Sequence, residues 1–299
     1  MKKVLIYGLG LMGGSIALTA KKKTPDCTIH GLTKSSQEKR QAIKLGIANT
    51  VYTEQEFLQQ NIWNNYDLII YCLPVNLICQ KISEIPNHYR GFVTDIGSSK
   101  KKIVAAIEES FATQEHNYYS SHPMAGSEHT GCQFAIDTLF EEKLCIMTPP
   151  KGVRELAKEE ITKFWNRLGM QTVEIKTEAH DEVLAYLSHS PHIISSILVN
   201  WSEENKMVRK YSKDSPLPLT GGGFRDMSRI AGSNPEMWDA IINSNQESIY
   251  DSLLDFRDRL SSVIRSLEKQ QPDKYWQNFF ASSQKKRREI LKLPSFPQK

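Results

Sequence analysis

The segment VLIYGLGLMGGSIALTAKKK, near the start of the chain, limits the fold more than any other. An apolar run ends at Gly8, and a stretch with helical spacing follows Gly13. In this order of strand, tight turn and helix, the spacing G-x-G-x-x-G is typical of a dinucleotide-binding loop rather than a plain turn. The glycines permit the turn, the approach of a pyrophosphate and close helix packing. We therefore predict a cofactor-binding loop made of Gly8, Gly10, Leu11, Met12 and Gly13.

Apolar runs alternate with helical segments along the first 177 residues. TIHGL, YDLIIYCLP and GFVTDIGS have the composition of buried strands, and LCIMTPP and QTVEIKT continue the pattern around a helix at 153–168. Near-continuous apolar strands separated by helices are typical of a parallel sheet covered on both faces. The pattern predicts an α/β fold with a doubly wound parallel sheet.

Helical spacing takes over after about residue 177. It extends over 178–206 and 237–269, and the glycine-rich segment LTGGGFRDMSRIAGSNP interrupts it. A chain of 299 residues exceeds the usual size of a single core, so two domains are expected. We predict a sheet domain over 1–177 and an all-helical domain over 178–299.

Composition and charge argue against several classes of function. No apolar run approaches the roughly 20 residues that span a bilayer, and the N-terminus lacks the pattern of a signal peptide, so we expect a cytoplasmic protein without a membrane partner. The five cysteines are scattered without C-x-x-C spacing, so no metal site is expected. The net charge of +4 is modest and its basic runs are short, which argues against a nucleic-acid partner.

The end of the second predicted strand bears on the choice of dinucleotide. An NAD site usually has a carboxylate there to accept from the ribose 2′-hydroxyl, but this chain has Thr33. Lys34 offers a positive charge, and Thr33, Ser35 and Ser36 offer hydroxyl groups, which suits a 2′-phosphate. A solvated helix N-cap at Ser35 or Ser36 is compatible with this interpretation. We predict that NADP is preferred and that NAD is the alternative.

Five segments in order carry a resemblance to a known family: GLGLMGGS, DIGSSK, SHPMAGSE, SHSPH and GGGFRDMSRIAGSNPEMW. In these the chain resembles the prephenate and arogenate dehydrogenases of tyrosine biosynthesis over nearly its full length. The resemblance implies a Rossmann-type domain followed by a helical dimerisation domain, with the active site between them. It also implies a homodimer that oxidises prephenate to 4-hydroxyphenylpyruvate, or arogenate to tyrosine, with hydride transfer to NADP or NAD and loss of carbon dioxide.

The segment SHPMAG has no hydrophobic period, and we expect it to form a loop after a parallel strand, with His122 projecting into the cleft. The reaction requires a base for the hydroxyl proton, and imidazole is well matched to that task at neutral pH. His122 matches the catalytic histidine of the family, and Ser98 matches a serine near it that orients the histidine or the hydroxyl. A purely structural histidine is the alternative for His122, and His129 is expected at the surface.

A substrate with two carboxylates needs cations, and the planar fork of arginine pairs with a carboxylate through two bonds. Arg229 matches the arginine that binds the ring carboxylate in the family, and His192 matches its second active-site histidine. Gly221 allows close approach of the backbone to a ligand, and Trp238 lines the pocket or fills the dimer core. Arg225 is expected to form a salt bridge with Asp226 that caps a helix.

Two other functions compete with this interpretation. One is another dehydrogenase that joins a Rossmann domain to a helical domain, such as a β-hydroxyacid dehydrogenase. Those enzymes commonly place a catalytic lysine on the first helix of the second domain, where this chain has SHSPH. The other is a nucleotide-binding regulatory module without catalysis, which would not need His122, His192 and Arg229 together.

Overall fold

The first half of the chain forms a parallel β-sheet. The computed structural model describes residues 1–60, 63–86, 88–112, 114–126 and 129–293. Five strands lie in the order β3-β2-β1-β4-β5, and each neighbouring pair is parallel. They are β1 Lys3–Tyr7, β2 Thr28–Thr33, β3 Thr50–Thr53, β4 Leu68–Tyr71 and β5 Phe92–Asp95. The predicted α/β fold is confirmed, and the strand order is that of the Rossmann type.

Helices cover both faces of this sheet. They are α1 Leu11–Lys23, α2 Ser36–Lys44, α3 Glu54–Gln60, α4 Val75–Ile82, α5 Lys101–Ser110 and α6 Glu155–Arg167. Successive side chains of a strand point to opposite faces. Val4 and Ile6 of β1 therefore share one apolar core with α1 and α6, whereas Leu5 and Tyr7 share a second core with α4 and α5.

The later strands do not extend the parallel sheet, so that prediction was wrong. β6 Ser120–Pro123, β7 Leu144–Thr148 and β8 Gln171–Glu174 form a separate three-stranded sheet. β6 is antiparallel to β7, and β7 is parallel to β8. The chain just before β6 still follows β5, because the backbone of Val93 is bonded to Asn117 and Tyr119.

The prediction that His122 lies in a loop was also wrong, because His122 lies within β6, opposite Ile146 of β7. This strand is polar because its hydroxyl groups bond to β5 instead of packing against apolar side chains. Ser120 Oγ donates to the Asp95 carboxylate and Ser121 Oγ donates to the Asp95 backbone carbonyl. Hydrophobic periodicity cannot reveal a strand of this kind.

The described residues after β8 are helical, as predicted. The helices are α7 Thr177–Leu184, α8 Ser190–Glu204, α9 Lys206–Asp214, α10 Gly222–Ser228, α11 Pro235–Ser244, α12 Gln246–Leu267 and α13 Tyr275–Ile290. A π-helical turn, Ala185–His189, joins α7 to α8. The glycine-rich segment was expected only to interrupt the helices, but it contains α10 and the 3-10 turn Arg229–Gly232.

Contacts along the chain define two compact units, Met1–Tyr250 and Asp251–Lys299. The candidate site residues all belong to the first unit. In the second, Ser266 and Tyr275 link α12 and α13 by a hydrogen bond of 2.9 Å between their hydroxyl groups. No helix in the described part of the chain has the length and apolar character needed to cross a membrane.

Candidate functional site

The glycine loop joins β1 directly to α1. Gly8 has φ +101°, and a Cβ there would lie 2.3 Å from the carbonyl oxygen of Cys72. A Cβ on Gly13 would lie 1.9 Å from the carbonyl oxygen of Gly8, so both positions require glycine. Gly10 precedes the helix and has open space where a side chain would be. Leu11 and Met12 form the first turn, whose free N–H groups suit an anion. The loop therefore fits the pyrophosphate of a dinucleotide.

The hydroxyl groups at the end of β2 already have partners in the protein. Thr33 is buried, and its Oγ1 lies 3.3 Å from the carbonyl oxygens of Ser35 and Tyr52. Ser35 Oγ caps α2 by accepting from the Glu38 backbone N–H, and Glu38 in turn accepts from the backbone N–H of Lys34. Of Thr33, Lys34 and Ser35, only Lys34 has an exposed side chain for a phosphate, and the Glu38 carboxylate accepts from its backbone N–H.

His122 belongs to a chain of hydrogen bonds that the sequence did not predict. Its Nδ1 lies 2.9 Å from Nε2 of His180, and Nδ1 of His180 lies 2.7 Å from Oδ1 of Asp181. The Asp181 carboxylate also accepts from the backbone N–H groups of Lys100 and Lys101 at the start of α5. The chain of bonds therefore runs from β6 through α7 to the N-terminus of α5.

This chain of bonds fixes the tautomer of His122. Asp181, as a carboxylate, can only accept, so His180 donates from Nδ1 and its neutral ring accepts at Nε2. His122 must then donate from Nδ1, which leaves its Nε2 without a proton. Nε2 of His122 is therefore available to accept a proton from a ligand.

Burial keeps these imidazoles neutral. It lowers the pKa of His122 well below its usual value, and His180 and Lys100 lower it further. Burial also lowers the pKa of His180, although the bond to Asp181 acts in the opposite direction. Burial raises the pKa of Asp181, but its bonds from His180 and from the backbone outweigh burial, and the pKa falls below its usual value.

Ser98 is half-buried in the segment that joins β5 to α5. Among the described residues, the partner of His122 Nδ1 is His180 and not Ser98. His180 and Asp181 were missed because they stand far from SHPMAG in the sequence. The only signal was an adjacent histidine and aspartate at the start of a predicted helix.

His192 and Trp238 form a second part of the site. Their rings stack with centroids 3.9 Å apart, and His192 Nδ1 lies 2.8 Å from the carbonyl oxygen of Ser188. His189 meets the same indole edge-on, with centroids 6.0 Å apart. The indole N–H of Trp238 is buried and has no partner among the described residues. It can donate to a ligand.

Arg229 is exposed at the start of the 3-10 turn after α10. Burial lowers the pKa of His192 and the charge of Arg229 lowers it further, although the bond to the Ser188 carbonyl raises it. Within the described residues Arg229 makes no ion pair, and neither does Arg225, so the expected bridge between Arg225 and Asp226 is absent. Gly221 precedes α10 and has open space around it.

His189 connects the two parts of the site. Nδ2 of Asn245 donates to the Asp181 backbone carbonyl at 2.8 Å and lies 3.1 Å from Nδ1 of His189. His189 is 1% exposed, and burial lowers its pKa to about 4. The ring is therefore neutral at neutral pH, with the proton on Nε2.

Acid should destabilise the protein through His189. In the unfolded chain His189 takes up a proton near pH 6.5, but in the folded chain only near pH 4. The contribution of His189 to stability is therefore fully present above pH 6.5 and decreases as the pH falls toward 4. We expect this residue to account for about 2 kcal/mol of lost unfolding free energy between about pH 7 and about pH 5.

Urea unfolding at the two pH values tests this effect. His189→Gln should be less stable than wild type at neutral pH but should depend less on pH. His88→Gln, at an exposed histidine, is the matched control and should retain the full dependence. An equal pH dependence in His189→Gln and wild type would contradict the assignment.

The comparisons with known proteins agree with one another. Residues 16–174 match the family model of the prephenate dehydrogenase nucleotide-binding domain, and residues 176–281 match that of the prephenate dehydrogenase dimerization domain. The chain is 32% identical to a prephenate dehydrogenase of Lactococcus lactis, over 99% of this chain and 80% of the relative. It is 31% identical to a prephenate dehydrogenase of Bacillus subtilis, over 89% of this chain and 68% of the relative. A prephenate dehydrogenase structure from A. aeolicus, in complex with hydroxyphenyl propionate and NAD+, is 28% identical with a TM-score of 0.82, over 97% of this chain and 98% of that one.

Proposed function

The chain belongs to the prephenate dehydrogenase family, and from that premise we propose that it oxidatively decarboxylates prephenate, or its amino analogue arogenate, with His122 as the base. The observation that carries the role of His122 is the bond from His122 to His180 and on to Asp181, because it leaves Nε2 of His122 without a proton. A bound nicotinamide supplies the hydride acceptor.

The protein's own part in the reaction is proton transfer. His122 Nε2 takes the proton of the ring hydroxyl as the hydride leaves the carbon that carries it. His180 accepts from the other nitrogen of His122, so the imidazolium that forms is stabilised by a chain ending at the Asp181 carboxylate. Loss of the ring carboxylate as carbon dioxide then restores an aromatic ring, which drives the step. Ser98 is assigned to orient the hydroxyl.

Substrate binding is assigned to four residues: Arg229, His192, Trp238 and Gly221. Arg229 supports this role because it is an exposed cation without an ion pair in the described part of the chain. His192 stacks on Trp238, whose buried indole N–H has no partner among the described residues and is the donor assigned to a polar ligand group. The open backbone at Gly221 leaves room for a ligand beside them.

Domain organisation and assembly form part of the same proposal. We assign the cofactor domain to 1–177 and the substrate and dimerisation domain to 178–299. The match to a dimerization domain supports a homodimer. Exposed apolar side chains on α8 and α9 also support it, because Trp201 is 68% and Met207 59% exposed.

An assay of nicotinamide reduction tests the proposed substrate class. Purified protein is given prephenate, arogenate or a 3-hydroxy acid, each with NADP and with NAD. We expect reduction with prephenate or arogenate and none with the 3-hydroxy acid. Reduction with the 3-hydroxy acid alone would favour a β-hydroxyacid dehydrogenase, and binding of cofactor without any reduction would favour a regulatory module.

We also propose that NADP is preferred over NAD. Lys34 supports this preference because its exposed ammonium can bind a 2′-phosphate. A charged hydrogen bond contributes roughly 1.5 to 3 kcal/mol, so kcat/KM should favour NADP by about tenfold to a hundredfold. The preference should weaken at high salt, because the contact is exposed.

Substitutions at the end of β2 separate the contributions to this preference. Thr33→Asp should reverse it, because a carboxylate repels the phosphate and accepts from the ribose hydroxyl. Lys34→Gln should lower kcat/KM for NADP and leave NAD unchanged, and Glu38→Gln should raise it for NADP. A wild-type enzyme that clearly favours NAD would contradict the proposal and would mean that main-chain groups near Leu32 and Thr33 hold the ribose without a carboxylate.

A further inference from the structure

A fully buried ion pair lies beneath the strand that carries His122. Nζ of Lys100 is 2.5 Å from Oδ1 of Asp95, and both side chains are 0% exposed. Asp95 also accepts from the hydroxyl of Ser120 at 2.6 Å and from the backbone N–H of Gly97 at 2.9 Å. Two unit charges are therefore held without contact with solvent.

Stability alone does not explain such a pair. Removing an ammonium and a carboxylate from water costs several kcal/mol for each ion, and their attraction often does no more than offset that cost. An apolar pair of similar volume would usually stabilise a core as well or better. The role of the pair is therefore indicated by the contacts that Lys100 makes with β6 and with Asp181.

Lys100 contacts the residue next to His122 at one end of the chain of bonds and Asp181 at the other. Its ammonium also donates to the backbone carbonyl of Ser121, the residue immediately before His122. Its backbone N–H donates at 2.7 Å to Oδ1 of Asp181, the acceptor at the far end of the same chain. One residue thus holds β6 on one side and the Asp181 carboxylate on the other.

We propose that Lys100 is a positioning residue of the site: its buried ammonium anchors β6 at the residue before His122 and acts as a fixed positive charge beside the chain of bonds that ends at Asp181. Its catalytic importance rests on the proposed role of His122 as the base. Asp95 holds the ammonium in place through the buried ion pair.

The charged and titratable groups around His122 are consistent with this role. Among the described residues they are His180 and Asp181 of α7, His189 of the π-helical turn, Cys145 of β7, and the pair Lys100 and Asp95. After burial, the proximity of His180 and then the charge of Lys100 lower the pKa of His122. Lys100 also lowers the pKa of His180, which Asp181 and Asp95 raise.

Titration of the imidazole signals by NMR tests the proposal without requiring activity. Histidine is labelled with carbon-13, and His122→Asn assigns the His122 signal. Lys100→Met should raise the pKa of His122, because it removes a positive charge that lowers it. Lys81→Met is the matched control, since Lys81 is also largely buried and paired, with Glu54 and Glu84. It should leave the His122 titration unchanged.

The acidic limb of the pH profile of kcat/KM is then compared with the NMR titration of His122. A parallel shift of both in Lys100→Met supports the proposal. If the titration moves and the kinetic limb does not, Lys100 has the stated effect but His122 is not the base. If Lys100→Met does not fold, Asp95→Asn/Lys100→Met removes both charges and should still raise the pKa of His122, by a smaller amount. An unchanged His122 titration in the folded Lys100 variant would overturn the proposal.

Discussion

Replacing His122 by asparagine is expected to lower kcat by roughly a hundredfold or more while leaving cofactor affinity unchanged. The asparagine amide can still donate toward His180, so the local structure should persist. It has no nitrogen that can accept the hydroxyl proton of the substrate. Steady-state kinetics and a separate measurement of cofactor binding distinguish loss of chemistry from loss of binding.

His129→Asn is the matched control for this variant. His129 lies in the same segment of the chain but is exposed, with its ring stacked on Phe134. It should retain the turnover of the wild type. Near-normal turnover of His122→Asn would remove His122 from the mechanism and leave it a structural histidine.

Replacing Arg229 by alanine is expected to raise KM strongly. The ring carboxylate would lose its cationic partner, and removal of one member of a charge pair that binding desolvates costs on the order of 2 to 5 kcal/mol. That corresponds to roughly thirtyfold to several thousandfold in kcat/KM. The effect should be similar with NADP and with NAD, because Arg229 is assigned to the substrate alone.

Arg225→Ala provides the comparison, because Arg225 is also exposed and lies one helical turn earlier, in α10. We expect a much smaller change in KM for that variant. Unchanged substrate affinity in Arg229→Ala would reassign Arg229 to structure. Equal losses in the two variants would indicate a general electrostatic attraction rather than one paired carboxylate.

The first sheet was predictable because its strands are buried on both faces. The central strands β1 and β4 read as continuous apolar runs, and the glycine spacing between β1 and α1 follows from close contacts that admit no side chain. The strand β6 was not predictable in the same way. Ser120 and Ser121 make it polar, and their bonds to β5 exist only in the folded protein.

The site could be predicted only in part, for a related reason. Residues matching family motifs, such as His122 and His192, were identified one at a time. Their partners depend on contacts between distant segments: His180 reaches His122 from another element, and the stacking of Trp238 on His192 depends on how α8 and α11 pack. No periodicity or local motif encodes such pairs. The ion pair of Asp95 and Lys100 lay within a quoted motif, but the sequence gives no sign that it is buried.

The proposed reaction is tested by the amount of carbon dioxide released for each nicotinamide reduced when wild-type protein is given prephenate. We expect one carbon dioxide for each reduced nicotinamide, a phenolic product, and the loss of both signals in His122→Asn. Reduction of the cofactor without release of carbon dioxide, or no reduction with either prephenate or arogenate, would contradict it.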